Sequence, residues 1–295
     1  MAGRLFAVAL AMTLIGSPVL AERPVDKSCD VSGPVRVNVE SKVGDIVVLG
    51  GGSSVQLRGE IGDDVEDVEL NCRDGKVDIT VLYTEQRKRV GFTGTDLEIT
   101  VPAGSEVRLE GMSTNQTVKG VTGRVVLETM NGDLVVEGNP ARIRAETLSG
   151  RILITAGSGD VTAEAASGDI SIVGVTGSVR AETMSGNIEL EGSNLNEADL
   201  TVVSGSVTCN CDLAPGGRLS ADSVHGSVTL NMPDSVDATF KLETFNGSIV
   251  STLGGTERRL KKEGGFGPGQ TLEFTMGSGS GTVEVSVHNG NCTVK

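Results

Sequence analysis

Of 295 residues, 39 are Asp or Glu and 25 are Lys or Arg, and the net charge of −14 argues against nucleic acid as a partner. One Tyr, six Phe and no Trp stand against 41 Gly, which excludes a core of large interlocking rings. Small aliphatic side chains must fill the interior.

At the amino end, Arg4 precedes an apolar run from Leu5 to Leu20, and Val19-Leu20-Ala21 places small residues at −3 and −1 before Glu22. Residues 1–21 therefore read as a cleavable secretory signal, with the mature chain beginning at Glu22. Its apolar part is shorter than the ~20 residues of a spanning helix, and no other stretch approaches that length, so no transmembrane span is expected. Cleavage removes Arg4 and no acid, taking the net charge from −14 to −15. Residues 22–34 read as a leader. Cys29, Cys72, Cys209, Cys211 and Cys292 then belong to an oxidising compartment, where one or two disulfides are expected and one thiol stays unpaired or bonds another chain. Their connectivity is open. Cys209-Asn210-Cys211 has one intervening residue and does not match a thioredoxin-like or zinc-knuckle site.

From residue 35 to 295 a repeat governs the chain. Glu110, Glu128, Glu146, Glu164 and Glu182 follow one another at 18 residues, and they open the phrases ETMNGDL, ETLSGRI, EAASGDI and ETMSGNI from Glu128 onward. Gly123, Gly159 and Gly177, with Ala141 once, start a second strand in each period. Looser copies fall at Gly205, Gly226, Gly247 and Gly281, and at Gly44 and Gly75 near the amino end. Apolar residues alternate beside each phrase glycine, as in Leu134 and Val136 or Ile170 and Ile172, and again in Val125 and Leu127 or Val179 and Ala181. A third row, Met112, Met130, Leu148, Ala166 and Met184, comes just before the turn. Columns at a fixed period stack only if successive coils lie above one another. This predicts an all-β fold, a single-chain parallel β-solenoid (β-helix) of roughly 18 to 21 residues per coil. The crossover rule favours a right-handed sense. Roughly eleven coils at ~4.8 Å would give a rod on the order of 50 Å long. Residues 85–94 and 253–271 break the rhythm and read as protruding loops.

The T-x-S/N-G-D/N-I phrases, preceded by VPAGSEVRLEG from Val101, resemble the bacterial putative-adhesin domain family of unknown function over about residues 31 to 295. The resemblance implies an exported envelope protein and carries no functional residues with it. Thr114 departs from the pattern by standing where the phrase glycine is expected, and residues 263–269 form a Gly-rich loop.

No catalytic, cofactor or metal residues emerge from the motifs. Calcium-binding β-rolls place an Asp at every turn; here Asp133, Arg151, Asp169 and Asn187 alternate, and an Arg defeats a regular ion column. Arg108, Arg144 and Arg180 stand two residues before three of the column glutamates, as expected of an outward ladder of paired charges. The alternative to a binding protein is a carbohydrate-active β-helix enzyme, a polysaccharide lyase or hydrolase, which needs paired acids and commonly an aromatic platform. Phe240, Phe245 and Phe274 fit interior columns, which leaves no such platform. His225 and His288 read as turn or surface residues.

Base is concentrated in the two insertions, Arg87, Lys88 and Arg89 in the first and Arg258, Arg259, Lys261 and Lys262 in the second. Without these seven the mature chain would carry −22. Such segregation suits contact with anionic matter. The expected function is thus a non-enzymatic exported β-solenoid of the adhesin type, binding or structural, periplasmic or at the cell surface. Its expected partner is an envelope polymer, an anionic membrane surface or another envelope protein.

Overall fold

Alternating Val, Ile and Leu with a polar residue between them gives strands that bury one face, and the phrase glycines end each strand in a tight corner. A computed structural model of the chain describes residues 23–84, 94–261 and 269–295; the side chains of 259–261 fall outside that description, as do residues 1–22. The described residues form an all-β, β-solenoid-like fold of 22 strands with one short 3-10 turn at Leu253–Gly255 and no α-helix.

Each rung contributes one strand to each of two parallel sheets. In sheet I, Arg124–Asn131 pairs with Arg142–Ser149, which pairs with Asp160–Ser167, and the glutamates 128, 146 and 164 are direct partners. In sheet II, Leu134–Gly138, Ile152–Ala156 and the strand opening at Ile170 pair in the same way. Val125, Leu127, Ile143 and Ala145 from sheet I and Leu134, Val136, Ile152 and Ile154 from sheet II are all buried in one continuous apolar core.

The repeated phrase can now be read residue by residue. Its Glu points outward. Its Thr points inward at the corner, where the hydroxyls of Thr147, Thr183 and Thr244 donate to the carbonyl oxygens of Gly132, Gly168 and Gly290 on the adjoining rung. Its Gly lies so close to the neighbouring rung that a Cβ on Gly168 would stand 1.9 Å from the Gly150 carbonyl oxygen. The Asp or Asn after it serves the adjoining rung rather than its own turn. Asp133 Oδ1 accepts the Arg151 amide at 2.8 Å, Asp169 Oδ1 the Asn187 amide at 2.7 Å, and Asn187 Oδ1 the Ser206 amide at 3.0 Å. The ladder therefore satisfies turn amides that the parallel pairing leaves over. The Arg151 guanidinium and amide beside Asp133 hold its carboxyl below the usual range.

Thr114, the departure from the pattern, is accommodated by a reciprocal change. The preceding Thr position becomes Gly111, whose Cβ would lie 1.9 Å from Thr114 Oγ1. Thr114 is fully buried and accepts a hydrogen bond from Gln116 Nε2 at 3.1 Å. Restoring the phrase at one position alone should fail: Gly111→Thr is expected to lower stability by ~1–3 kcal/mol through overpacking. Adding Thr114→Gly should recover most of that loss in a urea denaturation series.

Both ends of the stack are threaded out of chain order. At one end Arg36–Gly50 lies between the rung of Glu106–Lys119 and the rung made by Lys76–Tyr83 and Thr95–Val101. At the other, Gly281–Asn289 and Cys292–Val294 lie between the rung containing Gly226 and the strands Ala238–Asn246 and Ser248–Ser251. The phrase glycine of this inserted rung is Gly290, whose Cβ would meet the Gly226 carbonyl oxygen at 1.8 Å. Gly281, expected in that role, instead opens the sheet I strand beside Gly217. Gly75 also leaves the series, sitting in an open hairpin turn between Val65–Arg73 and Lys76–Tyr83.

Antiparallel strands close the ends. Val65–Arg73 caps sheet I, while Val55–Ile61 and then Arg23–Cys29 cap sheet II, so the residues read as a leader supply a paired strand. A Cys29–Cys72 disulfide ties the two caps together. At the far end Gln270–Met276 and Arg258–Lys261 pair antiparallel with Ala238–Asn246 and Ser248–Ser251. The 253–271 segment, expected to protrude as a loop, thus includes a strand and begins a second one; residues 262–268 lie outside the described residues, as do 85–93 of the other insertion.

A second disulfide joins Cys209 and Cys211 within one strand, and Cys292 is the free thiol, buried and pushed up to about 12 by desolvation. The Gly-Ser run 277–281 closes on Asp237, which accepts from Ser278 Oγ at 2.8 Å and from the Gly279 amide at 2.6 Å. The Ser278 and Ser280 hydroxyls, followed by the loop amides, lower its carboxyl from 3.8 to about 2. A depressed carboxylate stabilises the fold fully above its unfolded value and loses that contribution as pH falls toward the folded one. The gap in melting temperature between the native chain and Asp237→Asn should therefore be widest above pH 4 and close as pH falls toward 2. A constant gap would show that the charge is irrelevant to the turn.

Candidate binding groove

Along each sheet I strand, alternate residues face outward, so three columns run up the outer face of the rod. The first holds Arg108, Val126, Arg144, Thr162 and Arg180, and the second holds Glu110, Glu128, Glu146, Glu164 and Glu182. The third is the row before the turn. Its large side chains are exposed, with Met112, Leu148 and Met184 at 51%, 54% and 63%. It stands two positions after each Glu, with one residue between, which gives it the same outward parity.

This apolar row continues beyond the regular phrases through Val203 and Val224, both exposed, to His288 and Phe245 on the out-of-order rungs. Phe245, expected inside, is 46% exposed and stacks on His288 at 4.9 Å between ring centroids. Phe240 is the buried one, stacked on Phe274 at 4.7 Å.

Between the glutamate column and the apolar row runs an open groove of about 530 Å³, reaching from Glu110 to Val203. Its floor is the inward-facing position of each phrase, Thr129, Thr147, Ala165 and Thr183. At Ala166 the apolar wall drops to a methyl group, leaving a notch between Leu148 and Met184.

Charge in the column is compensated unevenly. Arg108 contacts Glu110 and reaches Glu128 at 3.0 Å; Arg180 pairs with Glu182 and with Asp199 at 2.9 Å. Arg144 pairs with Glu146, while its distance to Glu164 is 3.9 Å. Glu164 stands beside Thr162 rather than an Arg of its own, directly across from the Ala166 notch. Farther up the same column Asp222 is raised, first by burial and then by Asp199 and Glu284, against the Ser220 hydroxyl that lowers it. Among the described residues no group of three His, Cys, Asp or Glu is placed to hold a metal ion, and no helix is long and apolar enough to cross a membrane.

The basic insertions fall at opposite ends of the stack, one joining the strands Lys76–Tyr83 and Thr95–Val101 and the other following Ser248–Ser251. Arg87, Lys88, Arg89 and Lys262 lie outside the described residues. Arg259 and Lys261 lie in the strand Arg258–Lys261 that pairs with Ser248–Ser251, their side chains undescribed. Arg258 packs its guanidinium 4.5 Å from the centre of the Phe274 ring and donates to the Leu253 carbonyl at 3.2 Å, so it pins its own hairpin.

A family model described as Toastrack DUF4097 matches residues 28–295. The chain belongs to this family. Solved structures similar to this chain include a putative adhesin from Parabacteroides distasonis, 10% identical over 92% of this chain and 97% of that one with a TM-score of 0.39. Another is a putative adhesin from Bacteroides fragilis NCTC 9343, 10% identical over 94% and 99%, TM-score 0.36. A putative lipid binding protein from Parabacteroides distasonis is 12% identical over 92% and 97%, TM-score 0.36. No curated protein sequence matches this Toastrack chain.

Proposed function

We propose that this chain is an exported, non-enzymatic envelope protein of the adhesin type, which binds through the outer face of sheet I. The carrying observation is the exposed apolar row on that face, interrupted only at the Ala166 notch. Isolated exposed apolar residues are ordinary, but a row repeated rung after rung beside a groove marks an interaction surface. Residues 1–21 act as a cleaved signal, which brings the chain to a compartment where the two disulfides persist. The coils run in the right-handed sense. Arg87, Lys88, Arg89, Arg258, Arg259, Lys261 and Lys262 offer secondary contacts to anionic envelope polymer or headgroups from the two ends of the rod.

The carbohydrate-active alternative asks for two acids converging on one bond, with a base or aromatic platform nearby. Here the carboxylates are strung out one per rung, and the guanidiniums of Arg108, Arg144 and Arg180 hold most of them in pairs.

The experiment is photocrosslinking in intact cells from a reactive side chain at Leu148, with the same group at Ser171 on sheet II as the comparison. A discrete envelope component captured from 148 and not from 171 supports the reading. Equal capture from both positions, or an exported form whose mass still includes residues 1–21, overturns it.

A further inference from the structure

Resting on the reading that this face binds, we propose that its occupant is a basic amphipathic helix laid along the rod axis. Its apolar stripe would pack on Leu148, the Ala166 notch and Met184, with a Lys or Arg against Glu164.

The spacing carries the first part of the argument. Rungs repeat at ~4.8 Å along the axis, and side chains at i and i+3 or i+4 on a helix lie ~5–6 Å apart. A helix parallel to the rod therefore presents about one apolar residue per rung. Its pitch of 5.4 Å gains ~0.6 Å per rung, so register holds for four or five rungs before it slips by half a step. The groove spans six rungs, from Glu110 to Val203, so a straight helix can stay in register over most of it, centred on Glu164. A strand would instead add to an edge, and the edge strands Arg23–Cys29, Val65–Arg73 and Gln270–Met276 lie at the ends of the stack, away from the groove.

Charge carries the second part. Glu110, Glu128, Glu146, Glu164, Glu182 and Asp199 face Arg108, Arg144 and Arg180, two carboxylates for each guanidinium. Glu164 is the least compensated, with Arg144 at 3.9 Å, and it lies on the rung where the apolar wall is open. A cation at Glu164 and an apolar anchor filling the notch is the pairing this rung lacks. The same carboxylates repel an anionic bilayer, which makes a lipid surface the poorer fit.

The test uses the purified chain and a Leu/Lys peptide of about five turns with apolar residues at helical spacing. A peptide of the same composition in scrambled order isolates charge from pattern. Binding by fluorescence anisotropy should favour the patterned peptide by about ten-fold or more. Glu164→Lys and Ala166→Arg should each remove most of that advantage, while Glu189→Lys on the exposed outer face of sheet II should change it less than about two-fold. Equal binding of the two peptides, equal losses from Glu164→Lys and Glu189→Lys, or no binding overturns the proposal. Binding of phosphatidylglycerol vesicles with no peptide binding overturns it in favour of a membrane. A partner captured from Leu148 in cells together with a failed peptide test would leave the binding face standing and discard only the helix.

Discussion

Gly168→Ala is expected to cost ~3 kcal/mol or more, the largest effect available from adding one methyl group to this chain. The added Cβ would meet the Gly150 carbonyl oxygen at 1.9 Å and its carbon at 2.7 Å, with φ at +151°. Backbone on both sides leaves no side chain to swing away. Separating the two rungs would stretch the bond from the Gly150 amide to the Ser167 carbonyl, 3.1 Å, which joins them. Gly75 has φ of +76° but nothing within 4 Å of an added Cβ, so Gly75→Ala should cost only the conformational strain, ~1 kcal/mol. Denaturation midpoints of the two variants decide the matter. Similar losses would mean that backbone conformation, and not the close stacking of coils, explains the repeated glycine.

Ile170→Asp is expected to be nearly as damaging. Ile170 is 1% exposed and stacked between Ile152 and Ile188, so the substitution removes an aliphatic side chain and buries an unpaired carboxylate. Together these should cost ~4 kcal/mol or more. Ser171→Asp places the same charge one residue on, facing outward beside Glu189, where like-charge repulsion costs well under ~1 kcal/mol. Because each rung is held mainly by its two neighbours, the buried charge should also reduce amide-exchange protection in 152–156 and 188–192. Protection lost equally across the whole rod would show that the coils do not melt as local units.

Much of this architecture was legible because the same residue types recur wherever the same contact recurs. The 18-residue glutamate interval became the Cα register of sheet I, and the alternation around each phrase glycine became the core. The exposure of the third row follows from parity. Methionine and leucine suggest burial by composition, yet in E-T-M the Thr is inward and the Met must be outward. Gly290 was missed because the phrase before it reads SVHNG rather than ETMSG, while Gly281 heads a stretch of alternating valines that looks like a fresh repeat. Periodicity reports which residues occupy equivalent places and says nothing of the order in which those places are stacked. The groove needed three dimensions, since its notch arises from Ala166 lying between two rungs with larger side chains.

The out-of-order threading has a consequence for how such a rod can change length in evolution. A copied phrase inserted anywhere between residues 106 and 231 adds a rung between two rungs that already follow each other along the chain, and the new unit meets equivalent neighbours above and below. A copy placed after residue 238 must instead fit a stack in which Gly281–Asn289 is wedged beneath Ala238–Asn246, and a copy before residue 101 meets the same obstacle at Arg36–Gly50. Duplications and deletions should therefore be tolerated in the middle and purged near both ends. The groove lies over the same middle rungs, so a gain or loss of phrases alters its span while both closures stay intact.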